Sequence, residues 1–456
     1  MEQPLMSVIL AAGEGRRMHS SLPKALMPLC GLTLLDWALL ALKQAGSDMP
    51  AVAVVGHGQA QLKAHYGESL KFCEQTVLGT GGALLASLSL LNETGRIFVL
   101  ASDMPLIKPS TLLALAKPDC DAAFAATSLL PGDNRSRVVK NEEGALTALA
   151  EADTVFVSYS PKEVKAAAYC FYAPVLIDAL KALSARPGLS ELSMSALMNF
   201  LLSSGAKLKT VAVEPDEALD VNDRAELAKA GALLRARINT KHMLNGVTLL
   251  DPMAAYIDET VKLGKDCTIY PGVVLEGNTV VGEGTTLYPG CRLVNSNIGR
   301  FCKAQAVVAL DAVVGDNVTL GPFVNLRPGT RLKDFCKVGN YIEVKNSVVG
   351  EGSKLPHLSY IGDGDVGKRV NIGCGSVFVN YDGYKKHRTT IGDDVFIGCN
   401  SSLVAPVSVG SRSYTAAGSV ITEDVPEDTL AIARAKQVNK VGYVAKLRSK
   451  RSGDKA

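Results

Sequence analysis

Between Val261 and about Val425 the chain advances in steps of six residues: an aliphatic residue, very often Gly, two or three polar positions, then a small residue. The phase is plain in Val314–Thr319 (VGDNVT), Leu320–Asn325 (LGPFVN) and Leu326–Arg331 (LRPGTR). After short slips it resumes at Val366–Asn371 (VGKRVN), Ile372–Val377 (IGCGSV), Ile391–Phe396 (IGDDVF) and Ile397–Ser402 (IGCNSS). Six matches neither a helix face, with a period of about 3.6, nor a strand, with a period of about 2. Hexapeptide repetition is the mark of a parallel β-helix. The expectation is a prism in which the aliphatic residue points inward, Gly turns the corner, and stacked coils bury one continuous apolar column. Gly-turn hairpins, the competing reading, need alternation and varied turn spacing that the tract lacks.

A chain of 456 residues is too long for one core, so two or more domains are expected. Its net charge of +3 argues against a polyanionic partner, and nothing in it resembles a nucleic-acid-binding pattern. The stretch Met1–Ala12 has no basic leader, and its apolar run ends at Gly13, too short for a signal core or a membrane span; a cytoplasmic, membrane-free protein is expected. The 10 cysteines show no Cys-x-x-Cys spacing, against a zinc site or a disulfide framework. Cys267, Cys291, Cys302 and Cys336 stand at the small-residue position of the repeat, where packing explains them.

The N-terminal part alternates apolar strands (Ser7 to Ala12, Ala51 to Val55, Ile97 to Ala101) with helical stretches (Leu34 to Gln44, Ala83 to Leu91, Ser110 to Ala116), predicting a doubly wound parallel sheet. A Gly-rich loop, Gly13–Gly15, closes the first strand, where backbone amides hold phosphate. It is neither a P-loop nor a full G-x-G-x-x-G, since Met18 replaces the last Gly, but Arg16, Arg17 and Lys24 bring three cations to it. Arg224 to Leu244 reads as a long helix ending near Asn245-Gly246.

Leu10–Met18 (LAAGEGRRM) with Pro23 and Lys24 resembles the L-A-A-G-x-G-T-R-M…P-K signature of sugar-1-phosphate nucleotidyltransferases. Together with the prism, the chain resembles over nearly its whole length the bifunctional N-acetylglucosamine-1-phosphate uridyltransferase / glucosamine-1-phosphate acetyltransferase family, which makes UDP-N-acetylglucosamine for bacterial cell walls. The resemblance implies a Rossmann-like α/β nucleotidyltransferase domain over 1–223, a linker helix over 224–250, and an all-β left-handed parallel β-helix acetyltransferase with its tail over 251–456. It also implies UTP and acetyl-CoA as co-substrates, Mg²⁺, and a homotrimer with acyl-CoA sites between neighbouring prisms.

Carried over residue by residue, the phosphate loop is Leu10, Ala11, Ala12, Gly13, Arg17 and Lys24. Leu78–Ala83 (LGTGGA) resembles the loop that packs on uracil and ribose through Gly79 and Thr80; a plain helix entry capped by Thr80 is the alternative. Asp103 leaves the C-terminal end of a buried strand, where open α/β sheets keep ligands, and with Asn222 would hold Mg²⁺; Asn222 also precedes a helix it could cap. Glu151 aligns with a sugar-binding Glu. Glu74 stands in place of a uracil-contacting Gln, Arg16 of a Thr, Arg135-Ser136-Arg137 of a Gly-Tyr-Gly-Arg segment, and Ala168 of a sugar-holding Asn.

In the prism, Arg327 and Lys345 match the cations that hold the phosphate of glucosamine-1-phosphate, although a solvated Lys on a corner is the usual explanation for a lone charge. His357, in Pro356–Asp363 (PHLSYIGD), matches the catalytic base, and an imidazole can take the proton lost when an amine attacks a thioester. Tyr360, Asn371 and Lys386 match acceptor contacts. Cys374, Asn380, Tyr381, Cys399, Ala417 and Arg434 match acetyl-CoA contacts. Asn380 opens a non-repeat insertion running through Arg388. The basic tail, with Lys446, Arg448, Lys450 and Arg451, reads by default as disordered. The sequence leaves two rivals: an N-terminal domain with altered sugar or nucleotide choice, and a non-catalytic β-helix scaffold.

Overall fold

The computed structural model describes residues 5–47, 50–56, 58–117, 119–154 and 161–453. Residues 1–4, on which the leader reading partly rests, lie outside them. The chain divides into two compact units, Met1–Ile238 and Asn239–Ala456. Among the described residues no helix is long and apolar enough to cross a membrane.

The first unit is built on a mixed sheet whose main path runs Leu208–Ala212, Ala122–Ser128, Glu163–Tyr172, Arg96–Ala101, Leu5–Ala11, Val52–Val55, Lys71–Glu74. Leu5–Ala11 lies parallel to both of its neighbours, Val52–Val55 and Arg96–Ala101. Val8, Ile9, Val52 to Val55 and Ile97 to Leu100 are fully buried, the unbroken apolar runs of strands covered on both faces. Glu163–Tyr172 departs from the all-parallel expectation, running antiparallel to Arg96–Ala101 and to Ala122–Ser128. The reason is its connection: the chain reaches it through two short strands, Arg137–Lys140 and Leu146–Ala150, without the crossover helix that a parallel return requires. Because the chain leaves Leu5–Ala11 for neighbours on both sides, the switch point of the sheet lies at its C-terminal end, where ligands of such sheets bind.

Helix Leu34–Gln44 opens with a capping box between Thr33 and Asp36. Helix Arg224–Leu244 has the bounds expected from sequence. Gly246 (φ +91°) closes it: Gly246 N–H donates to Met243 O (3.0 Å) and Val247 N–H to His242 O (3.1 Å). The first unit ends, and the second begins, within this helix.

The second unit is the three-faced prism. Short parallel strands pair coil to coil, so that Ile269, Leu287, Ala304, Leu320 and Val338 fall into one column, continued by Leu355, all at most 2% exposed. The long strands Lys337–Lys345 and Lys354–Gly362 turn a corner and join two faces into one 19-stranded sheet; the third face is a 9-stranded sheet. The Gly after each aliphatic residue is needed for closeness more than for backbone freedom. A methyl group on Gly373 would lie 2.6 Å from both Ile397 O and Cys399 N of the next coil. The left-handed corner positions often carry other residues, among them Asp266 (φ 58°), Asn317 (58°) and Phe323 (60°).

The inward small positions form hydrogen-bond ladders. Cys267, Cys291, Cys302 and Cys336 donate Sγ–H to the next coil's Gly282, Ala304, Gly315 and Gly350 carbonyls at 3.1 to 3.3 Å, as Thr285 and Ser353 do to Gly299 and Gly367. These cysteines are structural, and burial pushes the Cys291 and Cys336 thiols up to about 11. In the tail, Tyr443–Gly453 is helical, with its residues through Arg451 exposed.

Candidate active sites

At the switch point of the first sheet lies a cleft of about 360 Å³. It is lined by the loop after the first strand (Leu10, Ala11, Ala12, Gly13), by Lys24, by Gly79 and Thr80 at the start of helix Thr80–Ala86, and by Ser102 and Asp103 beyond Arg96–Ala101. Lys24 is the hub: its Nζ donates to Asp103 Oδ2 and, at 2.9 Å, to Asn222 Oδ1. Asn222 does not cap the following helix. Asp223 does so, its Oδ1 accepting from Ala225 and Glu226 N–H at 2.9 Å, which leaves the Asn222 side chain to the cleft. Thr80 also turns elsewhere, its hydroxyl accepting from Met194 N–H (3.0 Å). Part of Asp220 reaches solvent, but its Oδ1 is buried without a hydrogen-bond partner; burial, then the charge of Asp103, raises this carboxyl to about 7. Among the described residues no three His, Cys, Asp or Glu side chains are grouped to hold a metal ion.

In the prism, His357 sits at a corner directly over Asn340, its register partner on the preceding coil. The ring Nδ1–H donates to Asn340 Oδ1 at 2.8 Å. A carbonyl oxygen only accepts, so in the neutral ring this contact puts the proton on Nδ1 and leaves Nε2 as the acceptor. The same corner repeats upward: Gly375 N–H donates to Leu358 O (2.8 Å), Asn400 N–H to Cys374 O (2.7 Å) and Gly418 N–H to Cys399 O (2.8 Å). His357, Cys374, Cys399 and Ala417 therefore stack as one column, and Arg434 reaches it with its side chain 3.9 Å from where a methyl on Gly418 would be. At about 4.8 Å per coil, the five positions span roughly 19 Å.

Beyond the next strand a cationic cluster gathers. Lys345 and Lys386 lie side by side, and the neighbouring Lys345 amine lowers the Lys386 pKa. Asp363, 7% exposed, lies beneath them. Burial alone would raise its carboxyl, but amide donation from Asn346 (2.6 Å) and Asn380, with the two lysine charges, holds it below the usual range. Asn380 also reaches the Tyr360 hydroxyl (3.4 Å), and Arg327 Nη1 donates to Glu343 (2.7 Å).

Comparison with known proteins accounts for both units. The MobA-like NTP transferase domain family matches residues 7–196, and the bacterial transferase hexapeptide family, six repeats, matches residues 388–423. The chain is 41% identical to the bifunctional protein GlmU of Caldanaerobacter subterraneus subsp. tengcongensis over 97% of its own length and 98% of that protein's. It is also 41% identical to the bifunctional protein GlmU of Listeria monocytogenes over the same shares, and to that of Geobacillus sp. over 98% and 99%. The chain belongs to the bifunctional GlmU family. It is accordingly a two-activity transferase, an α/β nucleotidyltransferase followed by a left-handed β-helix.

Against the GlmU motifs the structure is selective. Leu10, Ala11, Ala12, Gly13, Lys24, Gly79, Thr80 and Asp103 share the cleft, and Asn222 joins through Lys24. Arg17, in the exposed loop, and Glu151 are absent from the lining. Glu74 is exposed at the end of its strand and is not part of the lining, whereas the next residue, Gln75, is, its amide donating to Val77 O (2.7 Å) and Gly79 O (2.9 Å). Ala168 is buried in the core, Ser136 bonds to Ser195, and Arg135 pairs with Asp133, so none of the three departures from the motif points into the cleft. In the prism Arg327, Lys345, Tyr360 and Lys386 converge. Asn371 does not: it stacks on Lys354 and under Phe396 on the preceding face. The Asn380 side chain is 7% exposed and donates to Asp363. Tyr381 is exposed, its hydroxyl donating to Gly383 O (2.6 Å). Sequence reasoning missed Gln75, Asn340, Asp220 and Asp363. For Asn340 a signal existed, because it precedes His357 by 17 residues, one coil of the repeat.

Proposed function

We propose that the prism transfers acetyl from acetyl-CoA to the amine of glucosamine-1-phosphate and that the N-terminal cleft joins the resulting N-acetylglucosamine-1-phosphate to UMP from UTP, releasing pyrophosphate. The observation that carries this reading is the corner column: a histidine with a free Nε2 stands at one end of a track, with an arginine at the other and a cationic cluster beside it.

In the acetyl transfer, Arg327, Lys345 and Lys386 hold the sugar phosphate, and Tyr360 orients the ring. His357 Nε2 takes a proton from the amine as its nitrogen attacks the thioester carbonyl, and the coenzyme A thiolate leaves. Asn340 keeps the imidazole in the accepting tautomer. The thioester lies along Cys374, Cys399 and Ala417, with Arg434 at the coenzyme A phosphates. The hexapeptide repeat supports a homotrimer, in which Asn371, one face away from the cluster, would act toward a second copy.

In the uridylyl transfer, the cleft loop and Lys24 hold the triphosphate while a sugar phosphate oxygen attacks the α-phosphorus in line; positioning supplies most of the catalysis. Asp103 and Asn222 would hold Mg²⁺. The donor set fits: two hard oxygens already converge on one cationic nitrogen, and a third, on Asp220, is buried and unpartnered close by. Bound there, the ion would neutralise charge on the phosphates. A cytoplasmic location follows from these soluble substrates.

The test is product analysis by mass spectrometry on the whole protein given several sugar phosphates, acetyl-CoA, Mg²⁺ and all four nucleoside triphosphates. UDP-N-acetylglucosamine, coenzyme A and pyrophosphate are expected. Transfer to another sugar, or from another nucleotide alone, overturns the cleft assignment; no acetylated sugar overturns the prism assignment.

A further inference from the structure

Most cysteines of this chain are sequestered. Cys120, Cys170 and the four inward prism residues are buried, Cys73 is half-buried and pushed up to about 11 by burial, and Cys30 donates its thiol to Gly231 O. Cys374 and Cys399 differ: one is half-exposed, the other exposed. They occupy the same outward corner on consecutive coils, tied by the bond from Asn400 N–H to Cys374 O. In-register coils are about 4.8 Å apart. Disulfides form between α-carbons about 4.4 to 6.8 Å apart, so the backbone already has the required spacing.

We propose that Cys374 and Cys399 are a dithiol modification site that closes to a disulfide under a small-molecule disulfide oxidant and thereby blocks the acetyl transfer. The Cys399 thiolate attacks one sulfur of the oxidant, expelling a thiol and leaving a mixed disulfide. The Cys374 thiolate then attacks Cys399 Sγ and expels the second thiol. Two electrons pass from the protein thiols to the oxidant, and the two protons end on the released thiols. The bridge crosses the column between His357 and Ala417. The functional consequence rests on the proposed path of the thioester; the pairing does not.

The experiment treats the whole protein with hydroxyethyl disulfide, maps cysteine linkages by peptide mass spectrometry, and follows both activities before and after dithiothreitol. The expected result is a Cys374–Cys399 crosslink, at least tenfold loss of acetyl transfer, unchanged uridylyl transfer, and full recovery on reduction. Cys399→Ser, compared with its own untreated rate, should lose this sensitivity. Absence of the crosslink, or equal sensitivity in the variant, overturns the dithiol site. A crosslink that leaves acetyl transfer untouched instead overturns the proposed path of the thioester.

Discussion

Gly362 gives the sharpest test of the acceptor site. It ends the strand Lys354–Gly362, paired with Lys345, and its φ is not in the left-handed region, so alanine can adopt its backbone. What alanine lacks there is space: its methyl would lie inside contact distance of the Tyr360 hydroxyl, 2.5 Å from the ring carbon bearing it and 2.7 Å from Asn380 Nδ2. Restoring ordinary contacts of about 3.5 Å requires each group to move by about 1 Å. Both are the far ends of flexible side chains, so the packing cost should be at the low end of overpacking, about 1 kcal/mol. The catalytic cost is larger, because a misplacement of about 1 Å can lower a positioned reaction by about 10²-fold. Gly362→Ala is therefore expected to lower kcat/KM for glucosamine-1-phosphate by about that factor, while the KM for acetyl-CoA, uridylyl transfer and the thermal midpoint stay near wild type. Coenzyme A release measured against acceptor concentration, beside a melting curve, reads all of these. A variant within twofold of wild type would show that Tyr360 does not place the acceptor. Loss of both activities with a collapsed melting temperature would show a packing defect instead.

His357→Ala should lower acetyl transfer by about 10²- to 10⁴-fold and leave uridylyl transfer intact; Asn340→Leu should lower it by about tenfold, the low end for a bond to a ring that becomes charged. Asp103→Ala should raise the Mg²⁺ concentration for half-maximal uridylyl transfer by at least about tenfold while acetyl transfer continues, and an unchanged Mg²⁺ dependence would remove Asp103 as a ligand. Lys386, held below the ordinary lysine value by Lys345 and opposed by Asp363, loses its charge at lower pH than a free lysine; acceptor KM should therefore rise early on the alkaline side, and Lys386→Gln should weaken binding and flatten that rise. Phe378, fully buried in the prism, should cost about 3–5 kcal/mol when cut to alanine, seen as a lower melting temperature of the second unit.

How much of this was legible in the sequence follows from what each feature depends on. The prism was legible because its constraint repeats: every coil needs an inward aliphatic residue and a corner too close to the next coil for a Cβ, as at Gly373. The long helix was legible because its residue pattern and the Gly246 that stops it are local signals, but its cap was not, since Asp223 and not Asn222 accepts from Ala225 and Glu226 N–H. Glu74 and Gln75 were not separable, because a choice between adjacent residues depends on which way a strand end faces, and short signatures do not carry that. Nor was the inward turn of Asn380, which depends on Asp363, a residue of the preceding coil. The corner column is the instructive case. Asn340, His357 and Cys374 stand 17 residues apart in succession, as do Ala417 and Arg434. The one wide gap, Cys374 to Cys399, holds the insertion that carries Lys386 to Lys345. The periodicity that stabilises the fold thus also orders the site: residues one coil apart are neighbours, and an insertion between coils lengthens the chain without breaking the column. It follows that shortening the Asp382–Lys385 turn, which lies between coils, should spare the stacking of Cys374 on Cys399 and the melting temperature but lose the second lysine, raising acceptor KM with little change in the KM for acetyl-CoA. A collapse of folding on that deletion would mean that the insertion is part of the repeat and that the column cannot be counted across it.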